Sequence, residues 1–326
     1  MTIIDLISSA LGIKTTQVGK TVELLESGAT IPFISRYRKE VTGGLDEVQI
    51  TSIKEQNDKL KELVKRKETI LKSIEEQEKL TPELKKRIED CWVSSELEDI
   101  YLPYKPKRQT RAEIARKKGL EDLAKMIMAQ HPIDVEAKAH SFVKGDVKDV
   151  KDAIAGARDI IAEWVNEDEY ARNTIRNLFQ REAIITSKVV KGKEEEGDKY
   201  RDYFDYSEKL SKATSHRILA IRRGESEGFL RVNISPDEDI ALERLDKRFL
   251  KGDNDNQATV HVADAIEDAY KRLLKPSIET EFSALSKEKA DEEAIRVFAE
   301  NLRQLLLAAP LGQKRVLGID PGYRTG

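Results

Sequence analysis

The chain has 326 residues, of which 36% are charged and only 6% aromatic, and its formal net charge is −3. That length leaves room for two or three domains with sizeable cores, and the balance of residues favours long solvent-washed helices over a β-rich fold. A near-neutral total provides no global field to attract a polyanion, so any nucleic-acid contact has to be a local patch.

The single cysteine, Cys91, excludes an internal disulfide. With four scattered histidines beside it, a structural zinc site is not expected, and neither is a cofactor. The start, Met1-Thr2-Ile3-Ile4-Asp5, lacks the basic-then-apolar pattern of a secretory signal, and the longest apolar run, Leu305 to Pro310, is too short to span a bilayer. A cytoplasmic chain that does not enter a membrane is expected.

Residues 1–45 read as three short helices in a helix-turn-helix-like unit. The third begins near Pro32, with Ile34 and Tyr37 expected to face inward while Arg36, Arg38 and Lys39 fan out, and Gly43-Gly44 ends it. Residues 46–92 read as a long helical hairpin. Asp46 and Gln49 form a capping box, Ile53, Leu60, Leu63, Ile70 and Ile74 make a coiled-coil-like seam interrupted at Lys67, and Thr81-Pro82 starts the return.

Residues 93–310 read as a helical body with one short strand near 229–234. Ser95 and Glu98 suggest a further capping box. After it, Tyr101, Pro103, Tyr104 and Pro106 suggest an extended path leading into Lys105, Lys107, Arg108 and Arg111. Aromatics interleaved with cations suit a site that tracks a single strand, and equally a loop stapled to the helices beneath it. Thr110 with Glu113 caps the next helix, and a helical pattern continues to about Ile185. Lys191 to Lys199 is charged, contains Gly and has no apolar side chain, so a mobile loop is expected. A helix ending at Arg222-Arg223-Gly224 then adds Arg217, Arg222 and Arg223, which suit either phosphate or the helix dipole. Ser235-Pro236-Asp237-Glu238 reads as a helix start with Ser235 as its cap. Residues 311–326 end the chain as a short apolar run that delivers Asp320 to a Pro321-Gly322 turn, as the first strand of a sheet would.

Four stretches together resemble the Tex-type transcription accessory proteins, bacterial relatives of a eukaryotic transcription elongation factor. They are Gly28 to Glu40 with its Ile31-Pro32-Phe33-Ile34-Ser35-Arg36-Tyr37-Arg38-Lys39 core, Leu97 to Pro106, Ser215 to Glu225, and Leu317 to Gly326. The resemblance runs through the whole chain in the family's order. It implies an elongated, mainly α, multi-helix amino-terminal region that precedes a YqgF-type RNase H-like domain, helix-hairpin-helix modules and an OB-fold RNA-binding domain, of which only the first strand of the RNase H-like domain falls in 311–326. Asp320 matches the first acidic position of such domains but lacks its partners, and several carboxylates are needed to hold two metal ions about 4 Å apart. No catalytic residue and no metal site are therefore expected.

The expectation is a nucleic-acid-binding transcription accessory protein in which these residues act as a helical scaffold with local basic patches. Its partners would be RNA or DNA, met mainly through domains downstream, and the transcription machinery. The candidate contacts are Arg36, Arg38, Lys39, Lys105, Lys107, Arg108, Arg111, Arg217, Arg222 and Arg223. Two alternatives stand beside it: the amino-terminal part of a metal-dependent RNase H/RuvC-like nuclease, and a purely structural protein-docking module.

Overall fold

Several helix starts follow capping chemistry along the chain, which the computed structural model describes over residues 2–106, 109–251, 256–310 and 312–318. Two units result, Met1–Glu113 and Ile114–Gly326. The expected segments 1–45 and 46–92 share the first of them.

Thr2 accepts from the Asp5 amide and Asp5 accepts in return, which starts α1 (Ile3–Leu11). Next come α2 (Thr15–Glu26), α3 (Ile31–Tyr37) and α4 (Lys39–Thr42). The expected third helix is broken at Arg38, whose φ of −130° leaves the helical region, and α4 is the part beyond the break. Gly43 ends α4 at φ +67°, where a Cβ would also lie 2.8 Å from the Gln17 side chain. That side chain donates to the carbonyls of Thr42 and Gly43, so α2 holds the end of the segment in place.

Asp46 and Gln49 form the expected reciprocal capping box at the start of α5 (Glu47–Glu75). Ile50 and Ile53 pack with Ile7, Val18, Val22 and Ile34, and Leu60 lies against the same cluster. Further along, Leu63, Ile70 and Ile74 pack with α6 (Pro82–Asp90) and α7 (Ser94–Tyr101) through Leu84, Ile88, Leu97 and Ile100. Both halves of the seam are therefore covered within the first unit. Lys67 does not interrupt it. Its side chain is buried, donates to the Glu89 carbonyl at 2.7 Å and sits 3.7 Å from the centre of the Trp92 ring. Burial pulls its ammonium below the usual lysine pKa.

Thr81 caps α6 as expected, whereas the Ser95–Glu98 box does not form. Glu98 is drawn instead to Arg66, which grips it with Nε at 2.6 Å and Nη2 at 2.9 Å, a stronger bond than a cap. The prolines that follow give a 3-10 turn at Leu102–Tyr104. Tyr101 is buried with its hydroxyl on Ser73, and Gln77 donates to the Tyr104 carbonyl, so the loop is stapled to α5.

Thr110 accepts from the Glu113 amide and starts α8 (Arg111–Lys117), the helix in which the division between the units falls. The second unit continues with α9 (Glu121–Met128), α10 (Val135–His140), α11 (Val150–Glu167) and α12 (Glu169–Glu182). Gly156 of α11 leaves less room than a Cβ needs beside Leu120, so close approach is what this glycine allows.

Where the helical pattern was expected to run to Ile185, α12 stops at Glu182 and β1 (Ile184–Val189) begins. Alternate side chains of the strand, Ile185 and Ser187, are buried. It pairs antiparallel with β2 (Asp205–Lys209) on one side and on the other with β3 (Leu230–Ser235), the strand the sequence did suggest. The charged run before β2 packs rather than floats: Lys193 and Lys199 lie 5.5 and 5.8 Å from the Phe229 ring centre, and Tyr200 is buried.

Between β2 and β3, α13 (Ser215–Ser226) runs through Gly224 instead of ending there. The helix start near Ser235 is displaced by two residues. Ser235 belongs to β3, and Asp237 caps α14 (Glu238–Phe249) by accepting from the Ile240 amide. Asn256 caps α15 (Gln257–Ala269), which passes through a π turn at Tyr270–Leu274 into α16 (Lys275–Leu306). Pro276 has no N–H to return to the Arg272 carbonyl, which gives the loosened turn a cause.

The stripe Phe298, Leu302, Leu305, Leu306 lies on α16 as expected and is 42–76% exposed. Val316 to Gly318, expected to open a strand, carry no regular structure, and Ile319–Gly326, with Asp320, lie outside the described residues. Among the described residues no helix is long and apolar enough to cross a membrane.

Candidate nucleic-acid interface

A side chain offered to a phosphate has to be exposed and free of a competing carboxylate. The candidate cations divide on this criterion.

In the second unit, Arg217 donates to both oxygens of Glu208 at 3.2 Å, and the bond raises its pKa. Glu208 also accepts from the Tyr206 hydroxyl, and these partners hold its carboxyl below the usual range. Arg222 is largely buried and pairs with Glu225 at 2.7 Å, leaving its Nε and Nη2 buried without a partner. Arg223 is exposed, and no ion pair to it is found among the described residues. Arg116 of α8 and Lys118 just after it are likewise bound, to Glu163 at 2.5 Å and to Asp152 at 2.9 Å.

In the first unit, Lys105 and Arg111 are exposed, while Lys107 and Arg108 lie outside the described residues. Arg36, Arg38 and Lys39 are all exposed, and no acidic group pairs with any of the three among the described residues. They stand on one short, well-anchored segment. Ile34 is fully buried, the Ser35 hydroxyl donates to the Pro32 carbonyl, and Gln17 holds the far end.

The structure also corrects the expected orientation of Tyr37. It is 65% exposed instead of facing inward, and its ring stacks outward on Phe33, one helical turn earlier, at a centroid distance of 5.6 Å. The Arg38 guanidinium lies 5.4 Å from the centre of the Phe33 ring. Sequence reading missed Phe33 and Tyr37 as surface residues because an Ile-Pro-Phe-Ile run reads as core. The i, i+4 spacing of the two rings beside three cations was the available signal.

A family model described as Tex central region-like matches residues 130–298, and one described as Tex-like protein N-terminal domain matches residues 1–75. The chain is 43% identical over 334 residues to the Transcriptional accessory protein Tex of Neisseria gonorrhoeae, covering 100% of itself and 44% of that protein. It is 42% identical over 338 residues to Protein tex of Bordetella pertussis, covering 99% of itself and 43% of that protein. The S1 RNA-binding domain-containing protein 1 of Pongo abelii is 30% identical over 339 residues, which take in 99% of this chain and 34% of that protein. The chain thus spans less than half the length of the relatives it matches. With the central-region model alone taking in more than half of its residues, the chain belongs to the Tex family.

Proposed function

We propose that this chain serves a nucleic-acid-associated transcription accessory protein as a helical scaffold, and that its direct contact with RNA or DNA is made by Arg36, Arg38 and Lys39. One observation carries the choice of site: these three cations are exposed on one anchored segment with no acidic partner among the described residues. Arg217 and Arg222 each have a carboxylate already in hand. A protein whose net charge is −3 needs such a local concentration to meet a polyanion at all. Family membership supports the role, and RNA binding in the name of one relative supports RNA as the polymer.

The proposal assigns no catalysis to these residues. Asp320 lies outside the described residues, and a single carboxylate does not hold a two-metal site. Lys105 and Arg111 extend the exposed positive charge of the same unit, and a contact with the transcription machinery remains a role for the surface as a whole.

A salt titration tests the site. The wild-type chain binds labelled RNA with an affinity that falls as salt rises, and replacing Arg36 and Lys39 by Gln lowers both the affinity and the slope, by roughly one counterion per lost contact. Replacing Arg217 and Arg222 leaves both nearly unchanged. Equal loss from the two pairs of substitutions would remove Arg36 and Lys39 as the special contact.

A further inference from the structure

We infer that the Phe33–Tyr37 face of α3 is a base-stacking platform that selects single-stranded over double-stranded nucleic acid, an inference that rests on Arg36, Arg38 and Lys39 being the contact surface. Large aromatic side chains are normally drawn under cover by the area they bury. Phe33 and Tyr37 remain 40% and 65% exposed on a helix that has Ile34 for its buried anchor.

Their arrangement has three parts. Phe33, the less exposed ring, supports Tyr37 with the two planes tilted by 42°. It also supports the Arg38 guanidinium, which lies 5.4 Å from the centre of its ring and has no carboxylate partner among the described residues. Tyr37 is left as the more open π face, and Arg36 and Lys39 are exposed on the same short segment. A ring that can take a base, next to cations that can take the adjoining phosphates, is what recognition of a single strand requires. A duplex presents its phosphates but keeps its base faces stacked inside, so it would use the cations and leave the ring idle. An acidic peptide would do the same.

No other aromatic–cation group in the described residues offers this combination. Arg66 over Tyr101 is bonded to Glu98, and Tyr101 is buried. Lys67 over Trp92 is buried. Tyr170 is 59% exposed with Arg248 above it, but that arginine is paired with Asp168 at 3.3 Å. Phe229, with Lys193 and Lys199 above it, is only half-exposed, and Lys199 is paired with Glu227.

Fluorescence anisotropy of the full 326-residue chain tests the inference. The probes are a labelled oligouridylate of about fifteen nucleotides and an RNA hairpin duplex of similar phosphate count. Tyr37→Ala is expected to weaken the single strand about tenfold, Tyr37→Trp to keep or strengthen it, and both to leave the duplex and the salt slope unchanged. Circular dichroism of each variant checks that the helices persist, as the exposure of Tyr37 predicts. If Tyr37→Ala has no effect, or weakens strand and duplex alike, while Arg36→Gln still weakens both, the platform is overturned and the phosphate contact stands. If neither substitution matters, the contact surface and the platform fall together. Displacement of the strand by polyglutamate, with Tyr37→Ala silent, would make an acidic protein segment the occupant and overturn the inference.

Discussion

Single residues in this chain are decided by what lies within a few ångströms, and His261 shows the consequence for pH. Its Nδ1 is buried without a partner, and burial, helped by the nearby Arg158, lowers its pKa from 6.5 against the opposing pull of Asp264 and Glu136. A histidine with a depressed folded-state pKa stays neutral while the unfolded chain protonates, so its contribution to stability is lost as pH falls through 6.5. The fall in melting temperature between about pH 7.5 and about pH 5.5 should therefore be smaller in His261→Gln than in wild type. An identical fall in the two proteins would show that His261 is not the group responsible. Such neighbours cannot be read from sequence. Lys67 breaks a heptad in the sequence yet fills its place in the seam, because Trp92 and the Glu89 carbonyl, both more than twenty positions away, receive its ammonium. Tyr37 shows the reverse: its expected inward face rested on spacing from Ile34, whereas its partner is the exposed Phe33.

At the scale of elements, signals that act within four residues were legible and those that depend on packing were not. Asp46 with Gln49, Thr81 with Pro82, and Thr110 with Glu113 each start a helix where the sequence places them. Ser235-Pro236-Asp237-Glu238 contains two possible caps, and pairing of β3 with β1 takes Ser235 into the sheet and leaves Asp237 to do the capping. The strands β1 and β2 escaped notice because β2 is a polar sequence that only its register with β1 makes a strand. Gly224 read as a helix stop, but it lies inside α13 at the point where that helix meets β3. A Cβ there would stand 2.6 Å from Cδ1 and 2.9 Å from Cγ of Leu230, and 3.2 Å from the Tyr200 ring. Leu230 is buried and has little room to move. Gly224→Ala is thus expected to destabilise the chain by about 1–2 kcal/mol, the overpacking cost exceeding the gain in helix propensity. Urea unfolding measures it, and a more stable variant would mean that the helix–strand contact yields more easily than these distances allow.

For the whole molecule, the mainly α class followed from composition, whereas the division into units did not, because it depends on which helices share a core. The first unit gathers Ile7, Val18, Ile34, Ile53, Ile70 and Ile88 on α5, and the second has its own buried set on α9, α11 and α15, among them Leu123, Ile127, Ile160, Ile161, Val262 and Ile266. Separate cores permit separate unfolding, since each unit can lose its buried area without the other losing its own. The chain carries its own reporters: of its two tryptophans, Trp92 lies in the first unit and Trp164 in the second. Trp92→Phe leaves fluorescence to report on the second unit alone, and Trp164→Phe leaves it to report on the first. The two proteins are expected to show different urea midpoints, and far-UV circular dichroism of the unsubstituted chain should follow both steps. Trp92 is stacked on Lys67, so its replacement weakens the first unit without silencing the reporter in the second. Coincident midpoints in all three measurements would instead show that the two units unfold as one cooperative system.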